Sequence, residues 1–243
     1  MFKPCVVIPI YNHHLKIKAI VTRLIEMDLP CYLLDDGSDA DCMHTLDQLK
    51  SIRGVTLLRW PNNRGKGAVV CDGLAQAHAD GYSHALQIDA DGQHNLADVA
   101  HMLNEAEAHP DCVISAQRAY DDMPRHRKNG RLVTDIWVWI NTLSLMIKDS
   151  MCGFRIYPLQ STLALLNRKS VGKRMDFDTD ILVRLYWQGL DVLHVPTHVT
   201  YEAEIPSHFD ILKDNLRISR MHTCLFFGML IRIPSLLARH FPS

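Results

Sequence analysis

The sequence lacks both glycine-rich signatures that announce a phosphate- or dinucleotide-binding loop. No GxGxxG follows the first apolar run, where Tyr11-Asn12-His13-His14 stands instead. That argues against a dinucleotide oxidoreductase and also against nucleotidyl transfer, which puts a glycine-rich loop at this place. No GxxxxGK[ST] occurs, so a P-loop is absent. The seven cysteines are scattered and odd in number, with no CxxC pair. Neither a zinc site nor a disulfide framework is suggested, and reduced thiols in a cytoplasmic setting are the simpler reading. No stretch reaches the ~18 consecutive apolar residues of a spanning helix. Charge of neither sign dominates: 26 Lys and Arg against 27 Asp and Glu give a net −1. Such a balance does not advertise nucleic-acid binding. Met1-Phe2-Lys3-Pro4 leads directly into an apolar strand, without a signal-peptide pattern. Internal repeats and low-complexity linkers are also missing.

What is present is an ordinary globular composition, 47% hydrophobic and 22% charged over 243 residues. The first half alternates strand and helix. Short apolar runs at 5–10, 31–34, 55–58, 84–88 and 112–115 read as strands. Segments 16–27, 42–52, 66–79 and 95–108 carry helical spacing. The expected class is α/β, with a mostly parallel central sheet covered by helices on both faces. Residues 119–131 read as a polar loop. Residues 1–205 are expected to form one domain, and 206–243 a C-terminal helical appendage.

In open sheets of this kind ligands bind outside the carboxyl ends of the strands. Three polar clusters fall there. Pro9-Ile10-Tyr11-Asn12 ends the first strand; the ring of Tyr11 suits a nucleobase or ribose, or the segment is an ordinary turn. Asp35-Asp36-Gly37-Ser38 ends the second; a carboxylate there accepts from a base N–H or a ribose hydroxyl, or forms an Asx turn. Leu86-Gln87-Ile88-Asp89-Ala90-Asp91-Gly92-Gln93-His94 ends the fourth. Its paired carboxylates are hard oxygen ligands of the kind Mg²⁺ and Mn²⁺ take together with substrate phosphate oxygens.

Further along, Asn62-Asn63-Arg64-Gly65-Lys66-Gly67 precedes a helix; glycines and a helix N-terminus suit an anion, and Arg64 and Lys66 add charge, or the segment is a turn. Arg118, the run Arg125-His126-Arg127-Lys128, and Arg131 form the densest positive patch, fit for diphosphate or for a solvated basic loop. In Asp149-Ser150-Met151-Cys152-Gly153-Phe154-Arg155, Gly153 suggests tight backbone geometry and Arg155 is another phosphate candidate. Asp176-Phe177-Asp178-Thr179-Asp180 opens a helix; its acids either stabilise the helix N-terminus or include a general base for an acceptor hydroxyl.

Taken in order, these motifs resemble family 2 glycosyltransferases of the GT-A fold, and most of all the dolichyl- and polyprenyl-phosphate sugar synthase branch. The resemblance covers roughly residues 4–200. It implies inverting transfer from a nucleotide-diphosphate sugar to a lipid-phosphate or hydroxyl acceptor, with Mg²⁺ or Mn²⁺ as cofactor. It implies that Pro9, Tyr11, Asn12, Asp36, Lys66 and Asp89 serve the nucleotide, and that Arg118, Arg131 and Arg155 face phosphates. Asp91 would bind the metal with Gln93 as a second ligand. A lipid phosphate would need little help from a base; a hydroxyl acceptor would need Asp180 or Asp178. Many members of that branch carry glutamate at the position of Asp178 or Asp180. His208 is either a surface residue or a side chain closing over the metal.

Two segments bear on membranes. Residues 132–147 are apolar nearly all round, and 225–241 mix Leu, Phe and Ile with Arg232 and Arg239. The second reads as an interfacial helix broken at Pro234. Both suit either packing against the domain or a partner subunit, or peripheral contact with the cytoplasmic membrane face. The rival to an enzyme is a non-catalytic sugar-nucleotide-binding scaffold.

Overall fold

The structure is a computed structural model, and it describes residues 1–118, 125–197 and 210–239, without the side chains of 125–130 and 211. Seven strands form one sheet: β1 (Pro4–Ile10), β2 (Cys31–Asp36), β3 (Val55–Trp60), β4 (His84–Gln87), β5 (Val113–Arg118), β6 (Arg155–Pro158) and β7 (Val192–Thr197). Their order is β3-β2-β1-β4-β6-β5-β7. All neighbours are parallel except at β6, which runs antiparallel to both β4 and β5. The helices are α1 (Ile17–Glu26), α2 (Ala40–Leu49), α3 (Lys66–Ala79), α4 (Val99–Ala108), α5 (Arg125–Thr142), α6 (Leu159–Leu166), α7 (Phe177–Trp187) and α8 (Ile211–Ala238).

Side chains alternate along each strand, and this builds two cores. On one face Val6, Ile8, Ile10 and Leu33 meet Val21 and Leu24 of α1, Leu46 of α2 and Met102 of α4. On the other, Val7, Tyr32 and Leu34 meet Val70 and Leu74 of α3, Ile181 and Leu185 of α7, and Leu225 and Met229 of α8. The alternating pattern in the sequence thus yields the expected doubly covered sheet.

Several boundaries differ from expectation. Strand β1 ends at Ile10 as expected, with Pro9 inside it opposite Leu34, but other elements depart from the reading. Arg125–Arg131 are helical, not loop; the Arg and Lys in this stretch are good helix formers, and α5 extends them into the apolar segment. Strands β6 and β7 were not foreseen; β6 is four residues long and lies beside a loop motif. Helix α8 passes through Pro234 to Ala238 without breaking. Proline forfeits one backbone donor, while tertiary contacts hold the helix on both sides. Arg232 lies over the ring of Trp187 at 4.6 Å, and Arg239 lies over Tyr186 at 4.1 Å.

Candidate active site

The carboxyl ends of β1, β2 and β4 lie side by side, because β1 pairs with both of the others. Asn12 adopts a left-handed backbone (φ 58°). Its N–H donates to Ser38 Oγ at 3.1 Å and its Oδ1 accepts from Asp39 N at 2.8 Å. Asn12 therefore stitches the end of β1 to the turn after β2. Tyr11 is half-buried beside it.

Neither member of the Asp35-Asp36 pair is loose. Asp35 is fully buried, paired with Arg59 at 2.6 Å and accepting from Ser38 N. Asp36 accepts from Arg64 N at 2.6 Å and Gly65 N at 2.8 Å. Burial pushes the Asp36 carboxyl up, against those two N–H groups. Asp36 thus fixes the Asn62–Gly67 turn. A Cβ on Gly37 would stand 2.7 Å from the backbone of Asn62, so only glycine lets the two loops approach this closely.

Lys66, the first residue of α3, sits at the centre. Its Nζ lies 2.8 Å from Asp89 Oδ1 and 2.8 Å from Asp178 Oδ2. Gln87 Nε2 donates to the other oxygen of Asp178 at 3.0 Å. Burial lowers the Lys66 pKa, but the two carboxylates outweigh it and hold the ammonium well above the usual range. Burial raises that of Asp89, but Lys66 and His94 outweigh it and hold the carboxyl well below its usual range. Gly153 closes this cluster: a Cβ there would stand 2.6 Å from Lys66 Nζ, 2.8 Å from Asp89 Oδ2 and 2.9 Å from Gln87 Nε2.

Beyond β4 the chain turns through Gly92 (φ 70°), which brings Asp91 Oδ1 to accept from Gln93 N at 3.0 Å. Asp91 and Gln93 are half-buried at the sheet edge. His94 lies under them with its ring 4.9 Å from that of Phe154, and its buried Nδ1 has no hydrogen-bond partner. Among the described residues no group of three or more His, Cys, Asp or Glu is placed to hold a metal. The donor set fits Mg²⁺ or Mn²⁺ nonetheless, since these ions take one or two protein carboxylates and complete their shell with substrate oxygens and water.

Two of the expected catalytic carboxylates separate here. Asp178 points into the Lys66 cluster. Asp180 points away, accepting from Arg184 Nε at 2.6 Å and from Gly172 N at 2.8 Å. It closes the loop before α7 and is no base for the site. The arginines are likewise committed. Arg155 is fully buried and was wrongly expected to face phosphate. Its guanidinium donates to the carbonyls of Ser150, Cys152 and Asp178 at 3.2, 3.0 and 2.8 Å. It therefore binds the 150–153 loop to α7. Arg118 and Arg131 converge on buried Asp149, at 2.8 and 2.7 Å. Both guanidinium groups are thereby anchored near the sheet edge. The side chains of Arg125, His126, Arg127 and Lys128, and all of His208, lie outside the described residues.

A family model described as glycosyl transferase family 2 matches residues 5–174. The chain belongs to this family. Among relatives, a UDP-N-acetylglucosamine–dolichyl-phosphate N-acetylglucosaminyltransferase of Methanococcus voltae is 24% identical over 214 residues, covering 80% of this chain and 84% of that one. A polyprenol monophosphomannose synthase of Mycolicibacterium smegmatis is 27% identical over 205 residues, covering 80% and 76%. Among solved structures, glucosyl-3-phosphoglycerate synthase of Mycobacterium tuberculosis, crystallised with Mn²⁺, UDP and glucosyl-3-phosphoglycerate, superposes with a TM-score of 0.70. That alignment covers 94% of this chain and 80% of the other at 13% identity, which shows a shared GT-A fold.

In this glycosyltransferase, sequence reasoning missed Gln87 and Asp149 as site residues. Each carried a signal: Gln87 is an amide inside a fully buried strand, and Asp149 is an acid just past the apolar stretch 132–147. A polar group placed in such company needs a partner.

Proposed function

We propose that this glycosyltransferase moves a sugar, with inversion, from a nucleoside-diphosphate sugar to the phosphate of a polyprenyl- or dolichyl-type lipid. The observation that carries the choice of acceptor is the commitment of the two candidate bases. Asp178 is held by Lys66 and Gln87, and Asp180 by Arg184 and Gly172. A hydroxyl acceptor needs a carboxylate ready to take its proton. A phosphate acceptor arrives as an anion and needs none. The relatives named for dolichyl-phosphate and polyprenol transfer favour the same reading.

Asp91, with Gln93 beside it, is the proposed holder of Mg²⁺ or Mn²⁺, which neutralises charge on the departing nucleoside diphosphate when bound. Tyr11 and the turn anchored by Asp36 would receive the nucleoside. Arg118 and Arg131, anchored by Asp149 at the sheet edge, would face the phosphates.

The acceptor's chemistry implies a membrane surface. Leu132, Val133 and Ile136 of α5 and Phe227, Leu230 and Ile231 of α8 are exposed. Residues Leu212–Ala238 are long and apolar enough to cross a bilayer, but Leu225, Met229 and Leu236 on one side of α8 are buried against the domain. That docking supports a helix lying on the membrane with its other side, at the cytoplasmic face.

The test offers the full chain UDP- and GDP-sugars with Mn²⁺ or Mg²⁺, and either a polyprenyl phosphate in detergent or a free hydroxyl acceptor. The expected product is an acid-labile glycosyl phosphate made only with metal. Transfer confined to hydroxyl acceptors would overturn the reading.

A further inference from the structure

Divalent ions, lysines and arginines compete for the same carboxylates, and in this site the competition at one position is already decided. Asp89 extends from the end of β4, on the donor side. Asp178 stands in the first turn of α7, on the far side. Each presents one oxygen 2.8 Å from Lys66 Nζ, and both lie in a largely buried pocket walled by Gly153. Two carboxylates facing one another at that spacing repel unless a cation stands between them. Gln87 holds Asp178 in place from behind. Lys66 itself is held at its backbone as the opening residue of α3, after a turn pinned by Asp36.

We propose that Lys66 is a positioning residue: a built-in monovalent cation that permanently fills the slot between Asp89 and Asp178, ties β4 to α7, and leaves Asp91 to carry the divalent ion. The inference rests on the reading of this site as a metal-assisted glycosyltransferase centre only for its effect on rate. Its structural content stands apart from that reading. Lys66 is thus no phosphate ligand, and the site is a one-metal site because its second cation is covalently attached.

The proposal predicts what happens when the ammonium is removed. Lys66→Met leaves a slot flanked by two carboxylates with no counter-ion, and that slot takes Mn²⁺. Full-length wild-type, K66M, K66Q and K66M/D178N proteins would be titrated with MnCl₂ alone, by calorimetry and by the shift of thermal unfolding. K66M or K66Q is expected to bind one more equivalent of Mn²⁺ than wild type and to gain more thermal stability from it. Where K66M does not fold without metal, refolding on Mn²⁺ addition is the same result. K66M/D178N, with one carboxylate neutralised, is expected to lose the extra equivalent and to unfold at a temperature nearer the wild type. Transfer by K66M should fall at least 100-fold, with saturating Mn²⁺ restoring tenfold or more. Equal Mn²⁺ stoichiometry and equal stabilisation in K66M, K66Q and wild type would overturn the proposal. A wild-type protein with no transferase activity on any donor would overturn the functional reading and leave the metal titration readable.

Discussion

Asp149→Asn is the sharpest perturbation of the charges at the sheet edge. The Asp149 side chain is fully buried, and it accepts from Arg118 Nε and Nη2 at 2.8 and 2.9 Å and from Arg131 Nη2 at 2.7 Å. The Arg131 side chain is 4% exposed and that of Arg118 17%, so neither charge can turn fully to water in place. The amide keeps the shape and one acceptor oxygen but removes the negative charge that faces both guanidinium groups. Removing one partner of a buried ion pair costs about 3–5 kcal/mol, and the partial exposure of Arg118 places the expected loss near the lower end. A chain of this size loses roughly 2–4 °C per kcal/mol, so a loss of about 3 kcal/mol lowers Tm by about 6–12 °C. Thermal and urea unfolding of the full-length protein read this directly. Arg131→Met in the same background removes the more buried of the two guanidinium groups and should recover a substantial part, since the two residues share one network. A loss below about 1 kcal/mol for D149N, or no recovery in the double variant, would show that these contacts do not hold the edge together.

Asp91→Ala should abolish transfer and metal-dependent nucleotide binding while leaving Tm within a few degrees; retention of more than about a tenth of kcat, roughly 1.4 kcal/mol of barrier, would sink the metal role. Gly153→Ala should lose activity and destabilise by about 1–3 kcal/mol, as expected of overpacking, because its Cβ would enter the Lys66 cluster; an active, equally stable variant would mean that the cluster adjusts freely. His222 is buried between α5 and α8, and burial lowers its pKa from 6.5 to about 4. Burial also lowers His194 to about 4, with Arg155 adding to the effect. The unfolded chain binds these protons first, so stability is full above pH 6.5 and falls as pH drops toward 4. His222 alone removes about 2 kcal/mol by about pH 5, and the loss should shrink in His222→Gln. The paired variant Ile136→Glu with Phe227→Glu should leave folding intact and abolish flotation with anionic liposomes; undiminished flotation would rule out this face as the membrane contact.

Much of the fold was legible because hydrophobic period is a local property. The runs at Cys5–Ile10 and Cys31–Leu34, and the helical spacing of 16–27, give β1, β2 and α1 nearly where they stand. What was not legible depends on distant pairing. Strand β6 has four residues and takes its place by antiparallel pairing to β4 and β5 from Arg155 onward. No local period marks that, and Arg155 reads as an exposed cation until the strand turns it inward. Helix α8 crosses Pro234 because contacts with Trp187 and Tyr186 of α7 hold it, and these lie 45 or more positions away in the chain.

The candidate site shows the same division in one chemical type. Seven aspartates lie at or near the sheet edge, and sequence position alone ranks them by their neighbours in the motif. The structure separates them by what they are bound to. Asp35 answers to Arg59, Asp36 to the backbone of Arg64 and Gly65, and Asp149 to two arginines. Asp180 answers to Arg184, while Asp89 and Asp178 share Lys66. Asp91 instead accepts a backbone N–H two residues on. A carboxylate offers about four lone-pair sites, and one neutral donor occupies only one of them. A divalent ion displaces no internal cation at Asp91, whereas at each of the carboxylates paired with Lys or Arg it must first break an ion pair. Two backbone N–H groups hold Asp36, one on each oxygen, and Lys or Arg side chains hold the other five, so Asp91 is the carboxylate we propose for the metal.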